Sequence, residues 1–312
     1  MGLWGLPAEK AGRAGGLQPT LVMLELALLA FSLSFHGRTW PYDTAFVSVM
    51  PGASVVFDAV DGPAGKYTFE TKDGTAVQTA ARRWKWTAPD RPGTYELKVD
   101  GPGATVKVHA FVLMPATRVQ NGTLNGYRIG AYPAARGAVY RPPPGFIELT
   151  RENEDTKVSP HFELKQFLCK QEPVKQYPKY LLLEEPLLLK LEAVLARVRT
   201  LGFKADTLYV MSGYRTPLYN KALGDVAYSM HQWGSAADVF VDTHTKGQMD
   251  DLNKDRRVDV DDARFLYDEI DAMLMMSMFK RLEGGLGYYP ATSAHPPFVH
   301  IDARGTRARW GG

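Results

Sequence analysis

Cysteine is nearly missing from this 312-residue chain, and the one that occurs, Cys169, cannot form an intramolecular disulfide or contribute to a cysteine-rich zinc site. A lone thiol of this kind reads as a buried, inert side chain. Surplus charge is missing too: a formal net charge of +3 gives no argument for a nucleic-acid partner. Long apolar runs are absent as well. The most apolar stretch, Leu21 to Phe35, is interrupted by Glu25 and two serines, and a bilayer-spanning helix needs roughly 20 apolar residues. Because that stretch follows Lys10 and Arg13, it reads as the apolar region of a signal-like segment over residues 1–38, with a buried N-terminal helix as the alternative.

What is present is ordinary for a globular protein, with 45% hydrophobic and 23% charged residues, and the length accommodates two domains. Residues 39–116 read as strands. Ala45–Val49, Ser54–Phe57, Tyr67–Glu70, Trp84–Trp86, Tyr95–Val99 and Thr105–His109 alternate in polarity and are separated by turn signals such as Asp73-Gly74. Short strands at this spacing suggest a small antiparallel sandwich. The run Pro92-Gly93-x-Tyr95-x-Leu97-x-Val99 resembles a late strand of immunoglobulin-like accessory domains in bacterial envelope proteins. Trp84 and Trp86 fit either the core or a carbohydrate-stacking face. Residues 117–145, rich in proline and glycine, read as a linker.

From residue 146 the pattern is mixed. Ser159-Pro-His-Phe162-Glu-Leu-x-Gln-Phe167 suggests a capped helical turn. Glu184-Glu185-Pro186 starts a helix whose Leu187, Leu191, Val194, Leu195 and Val198 share a face before Gly202 stops it. The strand Thr207–Met211 runs directly into Ser212-Gly-Tyr-Arg215-Thr-Pro217, a short glycine-containing loop carrying a guanidinium.

The chemistry-bearing residues come next. Ser229-Met-His231-Gln-Trp-Gly234-Ser-Ala236-Ala-Asp238 is answered by Phe298-Val-His300-Ile-Asp302. Alternation along the two apolar strands sends Asp238 and His300 to one face, and His231 on the preceding loop can fold back across Gly234. Singly, Asp238 suits a strand-edge charge and His300 a satisfied core histidine. Jointly, two imidazoles and a carboxylate suit zinc and leave one position for water.

These segments, with Asn220, Gly284-Gly-Leu-Gly-Tyr288, Arg304-Gly305 and Ala308-Arg-Trp310, resemble the zinc D-alanyl-D-alanine carboxypeptidases and LD-endopeptidases of bacterial cell-wall metabolism, over roughly Ser159 to Trp310. The resemblance implies an α+β fold. It would combine a hedgehog/DD-peptidase-like zinc domain with an antiparallel sheet (146–312) and the immunoglobulin-like all-β sandwich before it. It also implies zinc on His231, Asp238 and His300, hydrolysis of peptide bonds in peptidoglycan stem peptides, and a periplasmic or secreted location. Many members carry a glutamate three residues before the last histidine as general base, and here that position is Pro297. His295 is the first substitute by its loop position and ordinary pKa, and Asp302 the second, although an orienting role toward His300 suits Asp302 better. Arg215 is expected to bind a substrate carboxylate or an oxyanion. The missing glutamate also keeps open a non-catalytic zinc-containing module that binds stem peptides.

Between the two halves of this site lies Asp251-x-Asn253-x-Asp255-x-Arg257-x-Asp259-x-x-Asp262, with the oxygen spacing of an EF-hand-type calcium loop near 251–262. Arg256 stands where such loops have glycine, and Asp262 where they have glutamate. An acidic helix cap is the alternative. No second copy of the loop occurs, which excludes a repeat-based calcium scaffold. The cluster Met273, Met275, Met276 and Met278 in the following helix reads as core filling.

Overall fold

The computed structural model describes residues 29–171 and 176–311. The first half consists of two facing sheets. One contains β1 (Ser32–Phe35), β2 (Arg38–Trp40), β4 (Ser54–Val60), β6 (Thr75–Ala80) and β7 (Arg83–Thr87), in the order β2-β1-β4-β7-β6. The other contains β3 (Thr44–Val49), β5 (Thr68–Thr71), β8 (Gly93–Gly101) and β9 (Ala104–Val112), in the order β3-β9-β8-β5, with β3 and β9 parallel. Period-two alternation drives the pairing: along β4, Val55, Phe57 and Ala59 are buried while their neighbours face outward. Aromatic rings join the sheets, as where Phe57 meets Phe69 with centroids 5.5 Å apart. Trp84 and Trp86 are both buried, so this pair belongs to the core and presents no stacking face.

Two expectations shift at the start of the chain. Residues 1–28, with Lys10, Arg13 and the first part of the apolar run, lie outside the described residues. The remainder, expected to be signal-like up to residue 38, contributes β1 and the first residue of β2, and its Phe31, Leu33 and Phe35 are buried in the sandwich. Their alternating spacing is that of a strand with one buried face. Among the described residues, no helix is long and apolar enough to cross a membrane.

The segment expected as a linker packs against its neighbours, as a linker running along the next domain would. After β10 (Met114–Pro115), the small hairpin of β11 (Thr123–Leu124) and β12 (Tyr127–Arg128) buries Leu124, Tyr127 and Ile129. The chain then runs along the second half into β13 (Gly145–Leu149). The capped helical turn expected over Ser159 to Phe167 forms in its second part only, because its first part belongs to a hairpin of β14 (Lys157–Ser159) and β15 (Phe162–Glu163). The 3-10 turn begins only at Leu164, and Glu163 and Gln166 form its capping box. β16 (Lys179–Leu181) pairs with β13.

The second half is mixed α and β, with few helices. Helix α1 (Glu185–Thr200) starts at the acids and proline and ends before Gly202, as the sequence suggests. A short helix α2 (Pro217–Ala222) follows the arginine loop, capped by Thr216. A five-stranded sheet carries the motifs of the resemblance in the order β17 (Tyr209–Ser212), β18 (Ala236–Phe240), β20 (Phe298–Asp302), β19 (Gly285–Tyr289), β21 (Ala308–Gly311). All its pairings are antiparallel except β19 with β21. Helix α3 (Val260–Leu274) buries Leu266, Ile270 and Met273 and packs on β19 and β20. It ends at Leu274, so the methionine cluster divides: Met273 is core, whereas Met275 is 69% exposed and Met278 39%.

Behind this sheet, α1 places the fully buried Lys190, whose Nζ donates to the carbonyl of Asp302 at 2.9 Å and lies 3.4 Å from that of Gly285. Burial lowers its pKa to about 8. The folded value lies below the unfolded one of about 10.4, so between them the unfolded chain holds more protons and stability rises with pH, by about 3 kcal/mol across the window. Urea midpoints measured from pH 7.5 to 10.5 should therefore climb more steeply for the wild type than for Lys190→Met. Parallel curves would show that Lys190 does not titrate this way.

Candidate metal centre

One row of residues crosses the whole second sheet: Ser212 on β17, Asp238 on β18, His300 on β20, Gly287 on β19 and Trp310 on β21 are successive partners in register. Directly paired residues share a face, so Asp238 and His300 stand side by side on a rigid floor. His231 reaches them from a 3-10 turn, Met230–Trp233, which Gly234 ends in left-handed conformation (φ 67°). A Cβ on Gly234 would lie 2.3 Å from the backbone carbon of Leu182, so both the conformation and the space require glycine. The chain before the sheet grips this turn. Tyr132 donates to the carbonyl of Gln232 at 3.0 Å and meets the Tyr214 hydroxyl at 3.0 Å, and the Trp233 indole donates to the carbonyl of Arg141 at 2.9 Å.

The three side chains are buried and converge. His231 Nε2 is 3.2 Å from both Asp238 Oδ1 and His300 Nδ1, and His300 Nδ1 is 2.9 Å from Asp238 Oδ1. Their outer partners fix which atoms face inward. His231 Nδ1 lies 2.7 Å from the carbonyl of Gly213, which can only accept, so that nitrogen carries the proton and Nε2 is a lone pair. His300 Nε2 lies 3.4 Å from the Asp302 carboxylate, which leaves Nδ1 as its inward lone pair. Three electron-pair donors thus meet with no donor hydrogen of their own between them. A tetrahedral zinc with arms of about 2.0–2.1 Å has edges of about 3.3–3.4 Å, close to the triangle seen here. Two nitrogens and one oxygen are also a donor set that zinc accepts. Among the described residues, this is the one group of three or more His, Cys, Asp or Glu side chains whose ligand atoms all lie within 4.8 Å.

Electrostatics agree with the assignment for Asp238 and His231. Burial alone would raise the pKa of Asp238, but His231 and His300 hold it well below the usual carboxylate range. Burial lowers His231, keeping it neutral. For His300, burial pulls downward, but hydrogen bonds to Asp238 and Asp302 raise it.

The expected catalytic residues fall differently. Arg215 does not stand free for substrate. Its Nε donates to Ser212 Oγ at 2.8 Å, Nη1 to Asp225 at 2.9 Å and Nη2 to Asp238 Oδ2, which turns Oδ1 of that ligand inward. Asp302 is wholly buried and accepts from the Gly285 amide at 2.8 Å, the Arg304 amide at 3.0 Å and the Arg304 guanidinium at 2.8 Å. Burial would raise its pKa, but hydrogen bonds with His300 and Arg304 depress it strongly, and its contact with His300 suits the orienting role. His295 lines a separate cavity with Lys170, Tyr209 and Phe240. Its Nδ1 is 3.0 Å from the carbonyl of Pro296, and its ring lies edge-on to Phe298. The structure therefore does not join His295 to the triad, whose cavity it does not line.

The triad opens into a cavity of about 480 Å³ whose other walls include Asp225, Tyr228, Tyr289, Arg304 and Trp310. Asp225 is the one carboxylate besides Asp238 among the lining residues. None of these was singled out from sequence as a site residue, although Trp310 belongs to the motif that carries the resemblance. Asp225 and Tyr228 sit in an irregular loop with no local signature, and Tyr289 is recognisable only once β19 is in register with β20.

The expected calcium residues form a loop that is tied by its own backbone. Asp251 accepts from the amides of Asp255 and Arg256, Asn253 from Asp255, and Asp255 from Arg257. Asp262 is buried, and its two oxygens take the amides of Leu252, Asn253 and Asp259, forming the N-terminal capping box of α3. That is the acidic-cap alternative, and calcium is not shown. Arg256 adopts the left-handed conformation that glycine would favour (φ 73°).

A buried two-histidine, one-aspartate centre at the floor of a cavity is a site able to hold a metal ion. Residues 160–266 match the family model described as Peptidase M15. The match contains Arg215, His231 and Asp238 and bears out the resemblance to zinc carboxypeptidases and LD-endopeptidases, while His300, Tyr289 and Trp310 lie beyond its end. It supports a zinc-dependent metallopeptidase. No curated protein matches the chain.

Arg215→Ala should lower zinc affinity 10–100-fold by freeing Asp238, measured by competition with a chromogenic chelator. Unchanged affinity would remove Arg215 from the orienting role.

Proposed function

We propose that this chain is a zinc peptidase that hydrolyses peptide bonds in peptidoglycan stem peptides, of DD-carboxypeptidase or LD-endopeptidase type. One observation carries the proposal: three inward lone pairs at zinc-like spacing on the floor of a cavity of about 480 Å³, within and beside a peptidase-family segment. When bound, zinc supplies Lewis acidity and lowers the pKa of water to about 7.

The protein's own groups divide the remaining work. Gly213 and Asp302 hold the two imidazoles in the tautomers that face the cavity, and Arg215 holds the carboxylate. Asp225, 31% exposed at its side chain, takes the place of the glutamate lost to Pro297 as proton acceptor. The aromatic walls exclude bulk water from the peptide bond.

The reading favours an enzyme over a stem-peptide-binding module, because Asp225 answers the absence that supports the module. The substrate belongs to the bacterial envelope, so the reading places the protein in the periplasm or outside the cell. The sandwich would then serve as a wall-binding or positioning module.

Digestion of purified muropeptides, followed by mass spectrometry, tests the proposal. Wild type should release D-alanine or cut stem fragments, and His231→Ala should abolish turnover. Asp225→Asn should retain zinc while losing about 10²-fold or more in kcat. Binding of stem peptides without turnover by zinc-loaded wild type would establish the module instead.

A further inference from the structure

With Arg215 committed to Asp225, Asp238 and Ser212, the cavity needs another donor for the charge that develops on a carbonyl oxygen during hydrolysis. Tyr289 meets the geometric requirements. It pairs with Phe298 two residues before His300, on the same face of the sheet, and it lines the cavity with the triad. Its ring stacks on Phe298 with centroids 4.8 Å apart and planes 13° apart, so it has little freedom to swing. Its hydroxyl oxygen accepts from the Trp310 indole at 2.6 Å. An indole N–H only donates, so the Tyr289 proton is left to donate elsewhere. Among the described residues, no acceptor takes it.

The aim of this hydroxyl is built into the sheet. Trp310 is the register partner of Gly287, and a Cβ there would lie 2.2 Å from the indole nitrogen. The indole therefore occupies the space that the missing side chain leaves. Arg304 lies over its ring at 5.4 Å, and the His300 ring lies 5.2 Å away. Burial, together with the charges of Asp238 and Asp225, keeps Tyr289 protonated above its ordinary range.

We propose that Tyr289 is a catalytic residue that donates its phenolic hydrogen bond to the scissile carbonyl oxygen, and that Trp310 and Gly287 are the positioning residues that aim it. The inference rests on the peptidase reading above. In the step it serves, the oxygen of water forms a bond to the carbonyl carbon as one of its O–H bonds breaks and that proton passes by way of Asp225 toward the leaving amine, and the π pair moves onto the carbonyl oxygen, where the Tyr289 hydroxyl meets it. Return of that pair breaks the carbon–nitrogen bond, the amine leaves with a proton from water, and Tyr289 ends with the proton it began with. A donor aimed at this charge typically contributes 10²–10³ in kcat.

Zinc-loaded wild type, Tyr289→Phe and Trp310→Phe should be compared in stem-peptide hydrolysis and, by calorimetry, in binding a phosphinate dipeptide analogue of the tetrahedral state and an intact-substrate analogue. For Tyr289→Phe, kcat should fall about 10²-fold with KM within twofold and zinc content unchanged. Phosphinate affinity should fall by a similar factor while affinity for the substrate analogue holds. Trp310→Phe should show the same split to a smaller degree. An active wild type whose Tyr289→Phe variant keeps kcat and phosphinate affinity within threefold would overturn the role of Tyr289 alone. An inactive zinc-loaded wild type would overturn the peptidase reading and this inference with it.

Discussion

The pairing of Asp238 on β18 with His300 on β20 is the constraint on which the second half of the molecule depends. Antiparallel register puts the two side chains on one face, with Nδ1 of the histidine 2.9 Å from a carboxylate oxygen. Two buried ligands cannot adjust much in a packed interior, so the remaining parts must be brought to them. His231 comes from a turn that only glycine can end at that spot. Asp302 and Arg215 approach from either side and orient the ligands. A one-residue slip of β20 would send Val299 and Ile301 into the cavity and His300 into the apolar core.

The same constraint accounts for the glycines of β19. Gly287 sits opposite His300, and Gly285 lies beside Asp302, where a Cβ would come within 2.1 Å of a carboxylate oxygen. The row of ligands is bordered by a row of absent side chains, and the Trp310 indole and Asp302 carboxylate occupy that space. The opposite face of the sheet packs against α1 and α3, with Lys190 joining the ends of β19 and β20 from behind. The region before the second half belongs to this arrangement too, because Tyr132 and Arg141 hold the His231 turn from outside the segment that matches the peptidase family.

Much of the site was legible in the sequence because its ligands lie on or beside strands, where alternation predicts direction. Asp238 and His300 could be placed on one face from the residues around them, and α1 could be bounded by its acids, proline and glycine. What failed was whatever depended on partners distant in sequence. Phe31, Leu33 and Phe35 alternate like a strand, but a short apolar run after basic residues has the composition of a signal segment as well. Arg215 was read as a free cation because nothing local reveals that Asp225 and Asp238 fold onto it. His295 had a suitable side chain and a nearby position in sequence, but it lines a different cavity. Asp262 is a different case, because it has the oxygen spacing of a calcium loop and caps α3 from the same place, so neither role excludes the other.

X-ray absorption spectroscopy at the zinc edge on the purified full chain tests the central claim most directly. One zinc per chain, with only nitrogen and oxygen neighbours at about 2.0–2.1 Å and two of them imidazoles whose scattering disappears in the double variant His231→Ala, His300→Ala, is the predicted result. A sulfur neighbour, or an unaltered zinc environment in that variant, would contradict it.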